Sequence, residues 1–137
     1  MAARRYHHIF DLAKCRASIG DPEMIRQFIH KMVKTVNMKI LAGPLVVEGI
    51  PENPGYTAIV IVDFSHISIH TFTNTNEALI DVFSCKQYDR EKALEVCKDF
   101  FCTPDSVVEN NEVCWGSMDD HKHVPGSVLL EPEPGAV

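Results

Sequence analysis

No apolar run in this sequence approaches the ~18 residues that a membrane-spanning helix needs, so no membrane partner is expected. Lys and Arg nowhere cluster beyond Arg4-Arg5, and the formal net charge is -6. Sequence-independent binding to nucleic acid works by neutralising phosphates with such residues, so nucleic acid is not an expected partner either. Close CxxC pairs are also missing. Cys15, Cys85, Cys97, Cys102 and Cys114 are scattered and odd in number, which argues against a disulfide framework and against a structural zinc site. Most of the five are expected to be buried free thiols. Residues 1–8 lack the apolar middle of a signal peptide, so a soluble, cytoplasmic protein is the expectation.

What is present is ordinary globular material: 137 residues, 45% hydrophobic and 23% charged, enough for one domain with a buried core. Residues 6–13 mix aromatic, β-branched and polar side chains and are predicted to form a first strand. Asp21-Pro22-Glu23 opens a helix, with an N-cap acceptor, a proline at the first helical position and an acid near the positive end of the dipole. Ile25, Phe28, Ile29, Met32, Val33 and Val36 then recur at helical spacing as one apolar stripe. Residues 39–48 are predicted as a strand interrupted by Gly43-Pro44, and residues 49–55 as a loop. Residues 57–64 are nearly all β-branched or apolar and read as a strand buried on both faces. Residues 66–72 alternate with period two, so Ile67 and Ile69 face the core while His66, Ser68 and His70 share the other side.

A turn at residues 73–76 precedes a strand at 78–84. Asp89 caps a second helix whose buried stripe is Ala93, Leu94, Cys97, Phe100 and Phe101. Pro104 follows its end, and residues 107–115 are a candidate last strand. The order is read as βαβββαβ, which gives an α+β fold: an antiparallel or mixed sheet with two helices on one face. The domain is expected to span residues 1–115, with an acidic, Pro/Gly-rich and mobile tail from Gly116, whose His121 and His123 are expected to be solvated. The bare second face of the sheet is a place for another subunit.

Chemistry concentrates in Asp63-Phe64-Ser65-His66-Ile67-Ser68-Ile69-His70-Thr71-Phe72, followed by Asp81-Val82-Phe83-Ser84-Cys85. From the residues alone three readings stand. The segment is an amphipathic strand with a solvated polar side, or a Cys-His nucleophile pair without the sequence context of a hydrolase, or a pair of metal-binding histidines. The last fails on distance, because His66 and His70 lie about 13 Å apart along an extended strand.

The same residues closely resemble the short bacterial and archaeal class of S-adenosylmethionine decarboxylases, a family of pyruvoyl enzymes, and the likeness runs from about residue 6 to residue 115. It implies that the hydroxyl of Ser65 attacks the carbonyl of Phe64, that the chain is cut between 64 and 65, and that Ser65 becomes a covalent pyruvoyl group. Strain at a resonance-stabilised peptide bond is required for that attack. The resemblance assigns His70, expected on an adjacent strand, as the acceptor of the Ser65 α-proton during processing, and Cys85 as proton donor in turnover. The pyruvoyl ketone forms a Schiff base with the substrate amine and serves as electron sink, with no metal and no pyridoxal phosphate. Thr57 stands where the family carries a serine that supports processing. Ser68 and His66 are candidates to line the site, and Asp11 matches an acid near the substrate. A homodimer of cleaved two-chain protomers acting on a small molecule is implied, in spermidine biosynthesis.

Three departures bear on substrate. Phe64 replaces a usual acid, and Phe72 replaces a usual tryptophan. Asn74 stands where the family places a glutamate that grips the ribose hydroxyls. Exchanging that carboxylate for an amide removes a charge-assisted hydrogen bond, a difference of about 1–2 kcal/mol. The alternatives are therefore the same chemistry on ornithine or arginine, or an unprocessed paralogue that regulates a partner.

Overall fold

Alternating residues of one strand set the two faces of this protein. In the computed structural model, which describes residues 4–115, Ile67 and Ile69 are fully buried while His66, Ser68 and His70 point to the opposite, more open side. The predicted tail from Gly116, with His121 and His123, lies outside the described residues.

The elements are β1 (Tyr6–Ala13), a 3-10 turn (Ala17–Gly20), α1 (Pro22–Thr35), β2 (Ile40–Ile50), β3 (Asn53–Val62), β4 (Ser65–Phe72), β5 (Glu77–Ser84), α2 (Arg90–Phe101) and β6 (Val107–Glu112). They form one six-stranded sheet in the order β2-β3-β4-β5-β1-β6, with every neighbouring pair antiparallel. The expected α+β class holds, and the four strands between the helices answer to the segments predicted at 39–48, 57–64, 66–72 and 78–84, so the order βαβββαβ counts one strand too few. Residues 63–64 form so tight a hairpin that the β-rich stretch on either side of Ser65 makes two full strands. The expected loop at 49–55 is likewise mostly strand: β2 runs to Ile50, and β3 resumes at Asn53. Gly55 permits this close approach, because a Cβ there would stand 1.9 Å from the Thr71 carbonyl oxygen.

Both helices start where the sequence marks them. The Asp21 carboxylate accepts hydrogen bonds from the Glu23 and Met24 N–H groups, and the Asp89 side chain accepts one from Lys92. Their apolar stripes lie against the same face of the sheet. Ile25, Phe28, Ile29, Met32 and Phe101 are fully buried with Phe10, Leu12, Val60, Ile67, Ile69 and Ile80. Phe28 ties the helices together through ring contacts with Phe100 and Phe101 at 5.7 and 4.8 Å between centroids.

Among the described residues the other face has no such layer. Residues 57–64 read from the sequence as a strand buried on both faces, yet of these only Ala58, Val60 and Val62 are covered. Ile59 and Ile61 remain 42% and 50% exposed, and Leu45 and Val47 extend the apolar surface onto β2 at 60% and 50%. The sequence is apolar on both faces there because β-branched residues suit a strand, but the described residues supply helices for only one of them.

Candidate active site

The hairpin between β3 and β4 presents the Phe64–Ser65 peptide at one end of the sheet. Asp63 anchors it: its N–H donates to the Lys39 carbonyl at 3.0 Å, and its carboxylate accepts the Lys39 N–H at 3.0 Å. Ser65 has a φ of 155°, in a region that residues with a Cβ rarely adopt, and such a conformation costs on the order of 1–3 kcal/mol. On the neighbouring strand Ser65 is opposite Ser84, so the residue after Ser84 reaches the hairpin. Cys85 donates to the Phe64 carbonyl oxygen twice, from its backbone N–H at 3.0 Å and from its thiol at 3.3 Å. Buried Ser84 fixes this turn, since its hydroxyl accepts the Lys86 N–H at 2.9 Å and donates to the Lys86 carbonyl at 2.6 Å.

Next to the hairpin, on the open face, lies a band of rings. His66 stacks on Phe83 at 5.5 Å, and Phe83 meets His7 edge-on at 5.1 Å. Trp115 stacks on His7 at 6.1 Å and carries the Arg5 guanidinium over its own face at 5.6 Å. An indole N–H can only donate, so His7 Nδ1 accepts from Trp115 at 3.4 Å, which leaves Nε2–H to donate to Asp81 at 2.8 Å. His7, Asp81, Phe83 and Trp115 carried no assigned role in the sequence reading. Period-two alternation puts His7 on the open face of β1, but nothing local shows that β1 pairs with β5 and brings His7 to Phe83.

The remaining predicted residues gather elsewhere. Thr57 Oγ1 and His70 Nδ1 share a hydrogen bond of 2.9 Å across β3 and β4. In the same row across the sheet, Leu79 pairs with His70 on one side and Asp11 on the other. Phe72 ends β4, and Asn74 lies exposed in the turn beyond it. His70 is not on a strand adjacent to Ser65 but on the same strand, β4, five residues along. At the rise of an extended chain that is about 17 Å. Within one protomer His70 therefore cannot take a proton from Ser65. Ser68 lies between the two groups, opposite Asp81 on β5.

The cysteines divide by burial. Cys97 is fully buried, and burial pushes its thiol well above the ordinary range. Burial raises Cys15 to about 12 and also raises Cys102, whereas Cys85 is exposed. Among the described residues no group of three or more His, Cys, Asp or Glu is arranged to hold a metal ion, and no helix is long and apolar enough to cross a membrane.

Known proteins resemble this chain over most of its length. The family model for S-adenosylmethionine decarboxylase matches residues 6–112. The S-adenosylmethionine decarboxylase proenzyme of Pyrococcus furiosus is 33% identical over 99 residues, covering 70% of this chain and 68% of that protein. The proenzyme of Clostridium botulinum is 28% identical over 116 residues, covering 83% and 96%. The crystal structure of the adenosylmethionine decarboxylase from Aquifex aeolicus shares the fold, with a TM-score of 0.66 at 23% identity over 89% of this chain and all of that one. With the family model matched over residues 6–112 and a relative 33% identical over 99 residues, the chain belongs to the S-adenosylmethionine decarboxylase family.

Proposed function

We propose that this chain cuts itself between Phe64 and Ser65, converts Ser65 to a pyruvoyl group and decarboxylates S-adenosylmethionine. The observation that carries the reading is the Phe64 carbonyl, gripped by the N–H and thiol of Cys85 beside a serine in a strained conformation. Two donors on one oxygen stabilise the negative charge that develops when a nucleophile adds to its carbon, as in any oxyanion site. Ser65 Oγ adds to the Phe64 carbonyl carbon and gives up its proton; the C–N bond then breaks, leaving an ester and a free amine on residue 65. Loss of the Ser65 α-proton expels the Phe64 carboxylate by β-elimination, ending the first chain at residue 64. Water replaces the nitrogen of the resulting dehydroalanine, releasing ammonia and leaving the ketone.

That ketone takes up a substrate amine and draws off the electrons freed as carbon dioxide departs. Cys85 stands at the same end of β5 with its Sγ–H directed at the cut, so its proton is available to the product carbon. The role of His70 is then best served from outside the protomer. Two residue groups, Phe64-Ser65-Cys85 at one end of β4 and Thr57-His70-Phe72-Asn74 toward the other, are separated by about 17 Å. A second copy laid face to face and running the opposite way would put each group over the other. It would also cover Leu45, Val47, Ile59 and Ile61, removing apolar surface from water. A homodimer with shared sites is the form we favour, His70 of one copy acting as base toward Ser65 of the other, polarised by Thr57.

The test is intact-mass analysis of the aged protein. Two fragments breaking before residue 65, with the longer one captured by a hydrazine, are expected; Ser65→Ala should stay whole. A wild-type chain that stays whole and ignores hydrazine would end this reading. Carbon dioxide release is to be measured in parallel on S-adenosylmethionine, ornithine and arginine, because Asn74 offers an amide and not a carboxylate to a ribose. Release from an amino acid alone would move the substrate while keeping the chemistry.

A further inference from the structure

Lys86 joins three parts of the molecule that meet at the scissile hairpin. Its ammonium donates to the Asn37 carbonyl at 2.7 Å and lies 5.0 Å from the centroid of the Phe64 ring. Asn37 sits just past the end of α1 with a φ of 60°, where the Asn37 and Met38 N–H groups turn back to the Lys34 and Val33 carbonyls. A helix C-terminus carries partial negative charge and unsatisfied carbonyls, so a cation is well held there. The backbone of Lys86 closes the Ser84 turn that sets both Cys85 donors. One residue thus touches the ring of Phe64, braces the donors to the Phe64 carbonyl and ties both to the helix layer.

Phe64 is 37% exposed and lies outside the buried core cluster, so a contact from the Lys86 side chain adds to what holds its ring. A cation over the face of an aromatic ring within about 6 Å is attracted by roughly 0.5–1 kcal/mol at an exposed site. An attack on a carbonyl depends steeply on the angle and distance of approach, so a residue that keeps its acceptor turned to fixed donors speeds the reaction without touching the reacting atoms. We propose that Lys86 is a positioning residue for self-cleavage, clamping Phe64 through its ring so that the scissile carbonyl stays on the N–H and thiol of Cys85. The inference rests on the self-cleavage reading above and extends it to a side chain outside the quoted motif.

The experiment follows fragment formation over time by intact mass in freshly purified full-length chains. Lys86→Met, which keeps the stem and loses the charge, should cleave about 2–5 times more slowly, as expected for one exposed cation–π contact. Lys86→Arg should restore most of the rate. In a Phe64→Leu background the further change Lys86→Met should slow cleavage little, because the ring it acts through is gone. Thermal unfolding measured alongside separates these effects from loss of fold. Wild-type cleavage with an unchanged Lys86→Met rate, or equal slowing with and without the Phe64 ring, would overturn this inference alone. A wild-type chain that never cleaves would overturn both readings together.

Discussion

The Phe64 carbonyl oxygen accepts two hydrogen bonds from a residue 21 positions away, Cys85, at 3.0 Å from its N–H and 3.3 Å from its thiol. The backbone donor survives any substitution at 85 except proline, and the thiol donor does not. Cys85→Ala is therefore expected to slow self-cleavage about tenfold without abolishing it, since a thiol is a weaker donor than those whose loss costs more. Turnover by the cleaved product should fall much further, because the proton on Sγ is gone. Timed mass spectra and carbon dioxide release on the same sample check both halves.

The separation of Ser65 from His70 along β4 makes a complementation test decisive. Ser65→Ala and His70→Ala chains should each remain whole when made alone. Produced together, they should yield cleavage of the His70→Ala chain only, because its intact Ser65 meets the intact His70 of the other copy. Adding Ile59→Lys to both chains places a charge on the apolar face and should return the mixture to monomers and to no cleavage, as read by sedimentation and mass. Cleavage of purified monomers would show that one protomer suffices.

Thiol reactivity should follow exposure and thiolate character. Iodoacetamide at neutral pH is expected to modify Cys85 before Cys15, Cys97 and Cys102, all three of which burial holds in the thiol form. Peptide mapping at short times checks the order, and modification of Cys97 in the folded protein would contradict the packing of α2.

On the helix side of the sheet, buried His8 shares a hydrogen bond with Tyr88, near Glu112 and Arg90. Burial is the main cause holding His8 below its ordinary value of 6.5; Arg90 and His7 add to the effect, and Glu112 opposes it. The unfolded chain therefore takes up this proton first as pH falls, so stability is intact above about pH 6.5 and declines below it until the folded protein is protonated too. Melting temperature should drop from pH 7.5 to pH 5, and His8→Gln, whose amide can donate to or accept from Tyr88 but cannot titrate, should flatten that drop.

Much of this protein was legible in its letters. Period-two spacing set Ile67 and Ile69 against His66, Ser68 and His70, and Asp21-Pro22 and Asp89 marked the helix starts. These are local effects of side-chain direction and capping, and they hold whatever surrounds them. The resemblance carried by the segments around Ser65, His70 and Cys85 pointed to the family. The arithmetic that keeps His66 and His70 from sharing an ion also separates Ser65 from His70, once both are known to lie on one unbroken strand.

What no local pattern contained was pairing at a distance. That Cys85 grips the carbonyl of Phe64, that Lys86 spans from α1 to the Phe64 ring, and that His7 meets Phe83 and Asp81 all depend on the register of β4, β5 and β1. Register is decided by which apolar face the whole sheet turns toward its helices, a property of the assembled core. The composition made residues 57–62 apolar on both sides; only the packing of both helices onto one face decided which side was left open.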